Sequence, residues 1–354
     1  MTIKKLLRAL NYARNQAIFS YWAKKIIHGL LGSVLITGNP VYKYFYIKRV
    51  HNNIPSLLRC PSWIVIENSN ICNLSCIFCP NEKMGREKGI MKEDLFRSLI
   101  DQAVLNNIPN VLITGFGEPL IDKTYISKIV YAKEKGASNV HCVTNGILLT
   151  EDVSEKLIKA GLDYLYISID AASTEVYGQI HKVPGSSAPS DKFSDVVKNI
   201  NSFIALKKKL KIAKPILEVR FKDFDVNKTD LYDFIAQYKM SVDKVNIFMN
   251  IFNWPGSNIS NNLPRTTRLL KFPCRNLWST LYVTVGGKAA LCCQDYECKI
   301  ELGDANKENI MDVWNGEVLK KYRKMHLDCK FNEIPACREC IINSQLLSPW
   351  WGEG

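Results

Sequence analysis

Cys72-Asn73-Leu74-Ser75-Cys76-Ile77-Phe78-Cys79 puts three thiols in one short loop, directly after the apolar run Trp63-Ile64-Val65-Ile66-Glu67. A tetrahedral zinc or a fully ligated structural cluster takes four protein ligands. This loop offers three. Three thiolates on one cubane leave one iron without a protein ligand, open to a substrate or cofactor. The plainer alternative is three loop thiols, one of them belonging to a zinc site. Cysteine spacing this dense at the end of a strand favours the cluster.

Outward from this loop, short β-rich runs alternate with helical patterns. Strands are expected at 63–67, 110–114, 139–144, 164–169, 216–221 and 244–248. Helices are expected at 92–106, 124–135, 151–160, 192–209 and 229–238, the first with Leu95, Leu99 and Ala103 at helical spacing. Six strand–helix repeats predict an α/β fold with a parallel sheet, open or wound as a partial (β/α)6 TIM-like barrel. Residues 183–190, rich in Ser and Pro, read as a loop.

Polar and glycine-rich turns stand at successive strand ends. Thr114-Gly115-Phe116-Gly117-Glu118-Pro119 follows the second strand, Thr144-Asn145-Gly146 the third, and Ser168-Ile169-Asp170 ends the fourth. Each alone is an ordinary turn signal. Together they mark the C-terminal edge, where parallel α/β barrels place their sites.

The C-x3-C-x2-C loop with Phe78 and these turns resembles the radical S-adenosylmethionine (SAM) enzymes. The resemblance implies a [4Fe–4S] cluster on Cys72, Cys76 and Cys79, whose open iron chelates SAM. It also implies reductive cleavage to a 5′-deoxyadenosyl radical that abstracts hydrogen from a substrate. Phe78, Gly115, Gly117, Glu118, Pro119, Asn145, Ser168 and Asp170 fall where the family contacts that cofactor. The small residues would let backbone approach the ligand, and the glycine-rich Glu-Pro motif as a whole would grip the methionyl amino group. The chain departs from the family in two places. Phe116 separates the glycines, and the Arg that relatives use on the SAM carboxylate is replaced by Ile180-His181-Lys182. His181 reads as a structural histidine.

A second cysteine set lies beyond a polar stretch at 254–264. Cys274, Cys292, Cys337 and Cys340, with a 283–287 hairpin and a helix at 310–325, resemble the SPASM/twitch auxiliary-cluster domain. That implies one auxiliary [4Fe–4S] cluster for electron transfer, in the shorter twitch form, because no cysteine follows Cys340. Cys293 or Cys329 could replace one of the four ligands, and four-cysteine zinc is the competing reading. Cys60, Cys142 and Cys298 read as structural. The expected organisation is a basic segment 1–58, a radical SAM core 59–255, a linker 256–264, an auxiliary domain 265–345 and a tail 346–354.

The chain has 354 residues, twelve cysteines and a net charge of +13. Residues 1–59 carry ten Lys or Arg and no acid, so residues 60–354 carry 13 − 10 = +3. The composition excludes a collagen-like or wholly disordered chain, and no apolar run reaches the roughly 18 residues of a membrane span. Lys24-Lys25 before an apolar stretch loosely imitates a secretory signal, but begins too far into the chain. Clustered cysteines then predict a reducing compartment and metal-bound thiolates. Basic charge interleaved with aromatics at 1–55 suits an anionic membrane surface as well as it suits a solvated arm.

The expected location is the cytoplasm, peripheral at the inner face of the membrane if that segment binds lipid. The expected activity is hydrogen abstraction from a carbohydrate- or cyclitol-like substrate, lipid-linked in one version. A flavodoxin- or ferredoxin-type donor would supply electrons. The alternatives are a peptide-modifying radical maturase and a noncatalytic iron–sulfur or zinc scaffold. Nucleic acid is not expected, since the basic charge is confined to one end. Glu218, Arg220, Asn250 and Trp254 are candidate substrate contacts, with mutual pairing the plainer reading of the first two.

Overall fold

The computed structural model describes residues 60–186, 188–249, 254, 273–338 and 340. The basic segment 1–58, the linker 256–264, the tail 346–354 and Asn250 lie outside the described residues.

Six parallel strands carry the fold: β1 (Trp63–Glu67), β3 (Asn110–Thr114), β4 (Asn139–Thr144), β5 (Tyr164–Ser168), β7 (Ile216–Asp223) and β8 (Lys244–Met249). They are hydrogen-bonded in that order. Short β2 (Ser75–Cys76) and β6 (His181–Lys182) form a separate antiparallel ribbon. The crossovers are α1 (Glu93–Leu105), α2 (Tyr125–Glu134), α3 (Glu151–Lys159), α4 (Thr174–Ile180), α5 (Phe193–Leu210) and α6 (Leu231–Tyr238). This is the α/β fold with a partial barrel read from the periodicity. The two-residue ribbon is too short for any pattern, and α4 had no clear apolar repeat.

Local chemistry explains the elements. β1 is covered on both faces, so it reads as a continuous apolar run rather than an alternating one. α1 buries Phe96, Leu99, Ile100 and Ala103, an i, i+3, i+4, i+7 stripe. α3 starts at Thr150, whose hydroxyl accepts from the Val153 amide, and carries Glu151 and Asp152 in its first turn and Lys156 and Lys159 in its last. Cys142 sits fully buried in β4, as a small apolar side chain.

The sheet does not stop at the barrel. It continues through β9 (Thr280–Val283), β10 (Lys288–Ala290) and β11 (Glu301–Asp304). β9 pairs in parallel with β1, with Val65 opposite Tyr282, and β10 and β11 follow antiparallel. The expected 283–287 hairpin is therefore the β9–β10 turn. Around it pack α7 (Asn276–Ser279), α8 (Ile310–Trp314), α9 (Glu317–Leu327) and α10 (Pro335–Arg338). The single helix expected at 310–325 is two, broken at Asn315-Gly316, where Gly316 takes an extended conformation as the N-cap of α9. Glycine loses the most entropy in a helix interior and gives way there.

A buried ion pair ties the barrel beneath the site. Lys128 Nζ on α2 lies 2.7 Å from Asp122 Oδ2 and 2.8 Å from Asn68 Oδ1, just beyond β1. Lys128 also reaches the Met91 carbonyl at 3.0 Å, so the buried charge is paired and solvated by protein.

His141 on β4 is packed against Tyr164, its ring stacked at 4.3 Å. Nε2 donates to Asn110 Oδ1 at 3.3 Å and Nδ1 accepts from Tyr166 Oη at 2.8 Å. Burial pushes its pKa down to about 4. The fold favours the neutral ring, so its contribution is complete above the unfolded pKa of about 6.5 and is lost as the pH falls toward 4. The shift corresponds to about 3 kcal/mol. The urea midpoint should fall more steeply between these pH values in the natural chain than in His141→Phe; parallel curves for the two would refute the assignment.

Candidate functional site

The strand ends set the geometry. The loop leaving β1 is held to the loop leaving β3 by backbone bonds: Asn68 N to Thr114 O at 2.9 Å, Gly117 N to Ser69 O at 3.0 Å and Glu118 N to Ile71 O at 2.9 Å. A Cβ on Gly117 would stand 2.4 Å from the Ile71 carbonyl oxygen, and one on Gly115 would stand 2.8 Å from that of Ser69. The glycines thus let two loops meet, where the sequence suggested approach to a ligand. The ribbon then fixes the thiols, because Cys76 on β2 is paired with His181 on β6.

Cys72, Cys76 and Cys79 line one cavity of about 280 Å³. Burial, the largest influence, pushes Cys72 up to about 12 and raises Cys76 and Cys79. Such thiols become thiolates when a cation replaces the lost water. Among the described residues no three His, Cys, Asp or Glu side chains converge as one mononuclear ion requires. A cubane spreads its thiolates over separate irons, so this donor set fits a cluster better than zinc.

Phe78, Gly115, Gly117, Glu118, Asn145 and Ser168 share that cavity; Pro119 and Asp170 do not line it. Glu118 is nearly inaccessible, and its carboxylate accepts from Thr144 Oγ1 at 2.7 Å, Asn145 N at 2.8 Å and Leu120 N at 3.2 Å. It straps the β3 and β4 ends together, and burial raises its pKa to about 7. Asp170 has φ of 59° and no exposure; its carboxylate accepts from Lys222 N at 2.7 Å, Lys222 Nζ at 3.0 Å and Ser168 Oγ at 3.0 Å. Asp170 therefore aims Ser168 and Lys222.

Sequence reading missed Lys222. Lys222 Nζ lies 2.5 Å from Ser168 Oγ and 4.4 Å from the centre of the Phe78 ring, within the cavity lining. Its only sequence signal was its place near the end of a strand. His181 is buried, with Nδ1 3.0 Å from Cys76 Sγ and Nε2 3.1 Å from the Ile169 carbonyl. Glu218 and Arg220 bond each other at 2.7 Å and stay off the cavity. Trp254 lines it and donates from Nε1 to the Phe78 carbonyl at 2.6 Å.

The far wall of the same cavity comes from the C-terminal unit: Tyr282, Thr284, Ala290, Cys292, Cys293 and Asp295. Arg86 bridges the two sides. It grips Glu67 through two bonds of 2.7 and 2.9 Å and the Tyr296 carbonyl at 2.7 Å, while Glu67 also accepts from Val285 N at 2.8 Å. Behind this wall, Cys274, Cys292, Cys337 and Cys340 surround a second hollow with Gln294 and His326. Cys293 and Cys329 do not line that hollow. Burial raises Cys274 and Cys292.

Residues 66–212 match the model of the radical SAM superfamily, and residues 274–341 match that of the SPASM iron–sulfur cluster-binding domain. The chain carries a radical SAM domain followed by a SPASM domain. A relative named "Probable GTP 3',8-cyclase", from Methanocaldococcus jannaschii, is 30% identical over 48% of this chain and 52% of its own. The chain thus spans about half the length of that relative. The tungsten-containing aldehyde ferredoxin oxidoreductase cofactor-modifying protein of Pyrococcus furiosus is 24% identical over 80% of this chain and 76% of its own. The crystal structure of BtrN in complex with AdoMet and 2-DOIA superposes with a TM-score of 0.54 at 21% identity, covering 79% of this chain and 93% of BtrN. That likeness is one of fold.

The radical SAM domain implies a [4Fe–4S] cluster and SAM, and the SPASM domain implies auxiliary iron–sulfur clusters. Both cysteine sets meet this with buried thiols gathered around hollows. Gly117→Ala should displace the radical SAM loop by forcing its Cβ off the Ile71 carbonyl. Iron per chain after anaerobic reconstitution should fall toward that of the auxiliary set alone; full iron loading would count against the loop-on-loop constraint.

Proposed function

We propose that this chain is a radical enzyme that cleaves SAM reductively and removes a hydrogen atom from a carbohydrate- or cyclitol-like substrate. The observation that carries the reading is the shared cavity, with the three-thiol loop on one wall and Cys292 on the other. The group bound by Cys72, Cys76 and Cys79 supplies the electron and the open coordination site. The chain's own residues bind, orient and shield. Lys222, near the end of β7 and beside Ser168, would take the place of the missing arginine as the cation for the SAM carboxylate. Asp170 holds both in position.

Phe78, Phe116, Trp254 and Tyr282 give the cavity its apolar faces. Phe116 and Trp254 pack edge to face with each other and with Tyr296 at 5.4 to 6.3 Å, which fixes the orientation of the two lining rings. Apolar faces with few polar anchors suit the C–H faces of a saturated ring. The four thiols of Cys274, Cys292, Cys337 and Cys340 around one hollow support one auxiliary [4Fe–4S] cluster that exchanges an electron with the substrate radical. Anaerobically reconstituted protein with dithionite and SAM should release 5′-deoxyadenosine, and Cys76→Ala should abolish this. In the same assay Lys222→Met should raise the KM for SAM roughly tenfold or more, the loss expected for a bond to a charged group. No deoxyadenosine from iron-replete protein would overturn the proposal and leave a scaffold.

The basic, aromatic residues 1–55 support a second part of the reading, docking on an anionic membrane where a lipid-linked substrate resides. Among the described residues no helix is long and apolar enough to cross a membrane. The full chain should sediment with phosphatidylserine vesicles at low salt, and deletion of residues 1–55 should abolish this. No binding by the full chain would remove the docking role and leave the radical chemistry standing.

A further inference from the structure

His326, on the inner face of α9, is fully buried at the edge of the auxiliary hollow. Its tautomer follows from its neighbours. Nδ1 lies 3.1 Å from the backbone N of Cys274, and an amide N–H can only donate. Nδ1 must therefore carry the lone pair, and the neutral ring's proton sits on Nε2. Nε2 lies 3.4 Å from Sγ of Cys337. The ring is held in this plane by Trp278 at 6.4 Å and Phe331 at 5.1 Å, both edge to face.

We infer that His326 donates an Nε2–H···S hydrogen bond to the Cys337 thiolate and so raises the reduction potential of the auxiliary cluster. The inference rests on the reading that Cys274, Cys292, Cys337 and Cys340 hold that cluster. Reduction adds negative charge that is shared with the thiolate sulfurs. A donor aimed at one of them stabilises the reduced state more than the oxidised one. His326 is excluded as an iron ligand, because one nitrogen accepts from the chain and the other carries the proton. It acts through Cys337 as a positioning residue. By bonding the Cys274 backbone as well, it ties the first thiol of the set to the third.

The test uses the full chain in a Cys72→Ala/Cys76→Ala/Cys79→Ala background, so that only the auxiliary cluster is present. After anaerobic reconstitution, redox titration followed by electron paramagnetic resonance should give a lower midpoint potential in His326→Leu. His326→Gln, whose amide offers both an acceptor and an N–H, should recover most of the shift. An unmoved potential in iron-replete His326→Leu overturns the inference. Absence of iron from the parent background overturns the underlying four-cysteine reading instead. Should His326→Leu hold no cluster, pulsed resonance on the parent with 15N-histidine decides. A histidine nitrogen coupling with an exchangeable proton at the reduced cluster is expected, and its absence refutes the bond.

Discussion

The contact between the loops leaving β1 and β3 sets everything else at this site. Gly117 and Glu118 donate to the carbonyls of Ser69 and Ile71, and the approach is so close that no side chain fits at Gly117. Those two loops carry the thiols and the glycine–glutamate turn. Were they free to slide, three buried thiols would cost desolvation without meeting a common partner. The β2–β6 ribbon adds a second restraint from the other side, so the Cys76 backbone cannot move without His181. A parallel sheet makes both restraints available, because it delivers every crossover loop to one edge.

The same logic extends to the second cysteine set. β9 lies in register against β1, so the wall bearing Cys292 and Cys293 is attached through the backbone of the strand that launches the three-thiol loop. Glu67, the last residue of β1, then meets both Arg86 and the Val285 amide just after β9. One carboxylate thus joins strand, loop and auxiliary unit. A common sheet fixes the separation of the two cysteine sets more firmly than a docked domain, whose interface is free to rearrange.

Much of this was legible in the sequence, for identifiable reasons. β1, β3 and β4 have the expected bounds because continuous apolar runs between polar turns leave little choice of register. The three-thiol loop announced itself through spacing. What sequence could not show was the direction in which polar side chains face. Glu118 and Asp170 read only as cofactor contacts; the structure adds that Glu118 straps two strand ends and that Asp170 organises Lys222. Lys222 was hidden because a lysine near a strand end is unremarkable until Phe78 and Ser168 are brought beside it from distant parts of the chain. The break at Gly316 was missed because the apolar positions on either side keep a helical spacing across it.

The cavity's charges also have an order that follows from these placements. Its two cations, Lys222 and Arg86, are each paired with a buried carboxylate, Asp170 and Glu67. Neither pair adds net charge, yet each is oriented. Lys222 lies close enough to Cys76 and Cys79 to pull their thiols toward the ionised form, against the larger effect of burial. Arg86 stands on the side of the auxiliary unit, where it meets the Tyr296 carbonyl. One oriented pair therefore stands beside the three-thiol loop and the other holds the wall opposite, with aromatic rings lining much of the space between. The cavity thus has internally neutralised polar flanks and a largely apolar middle.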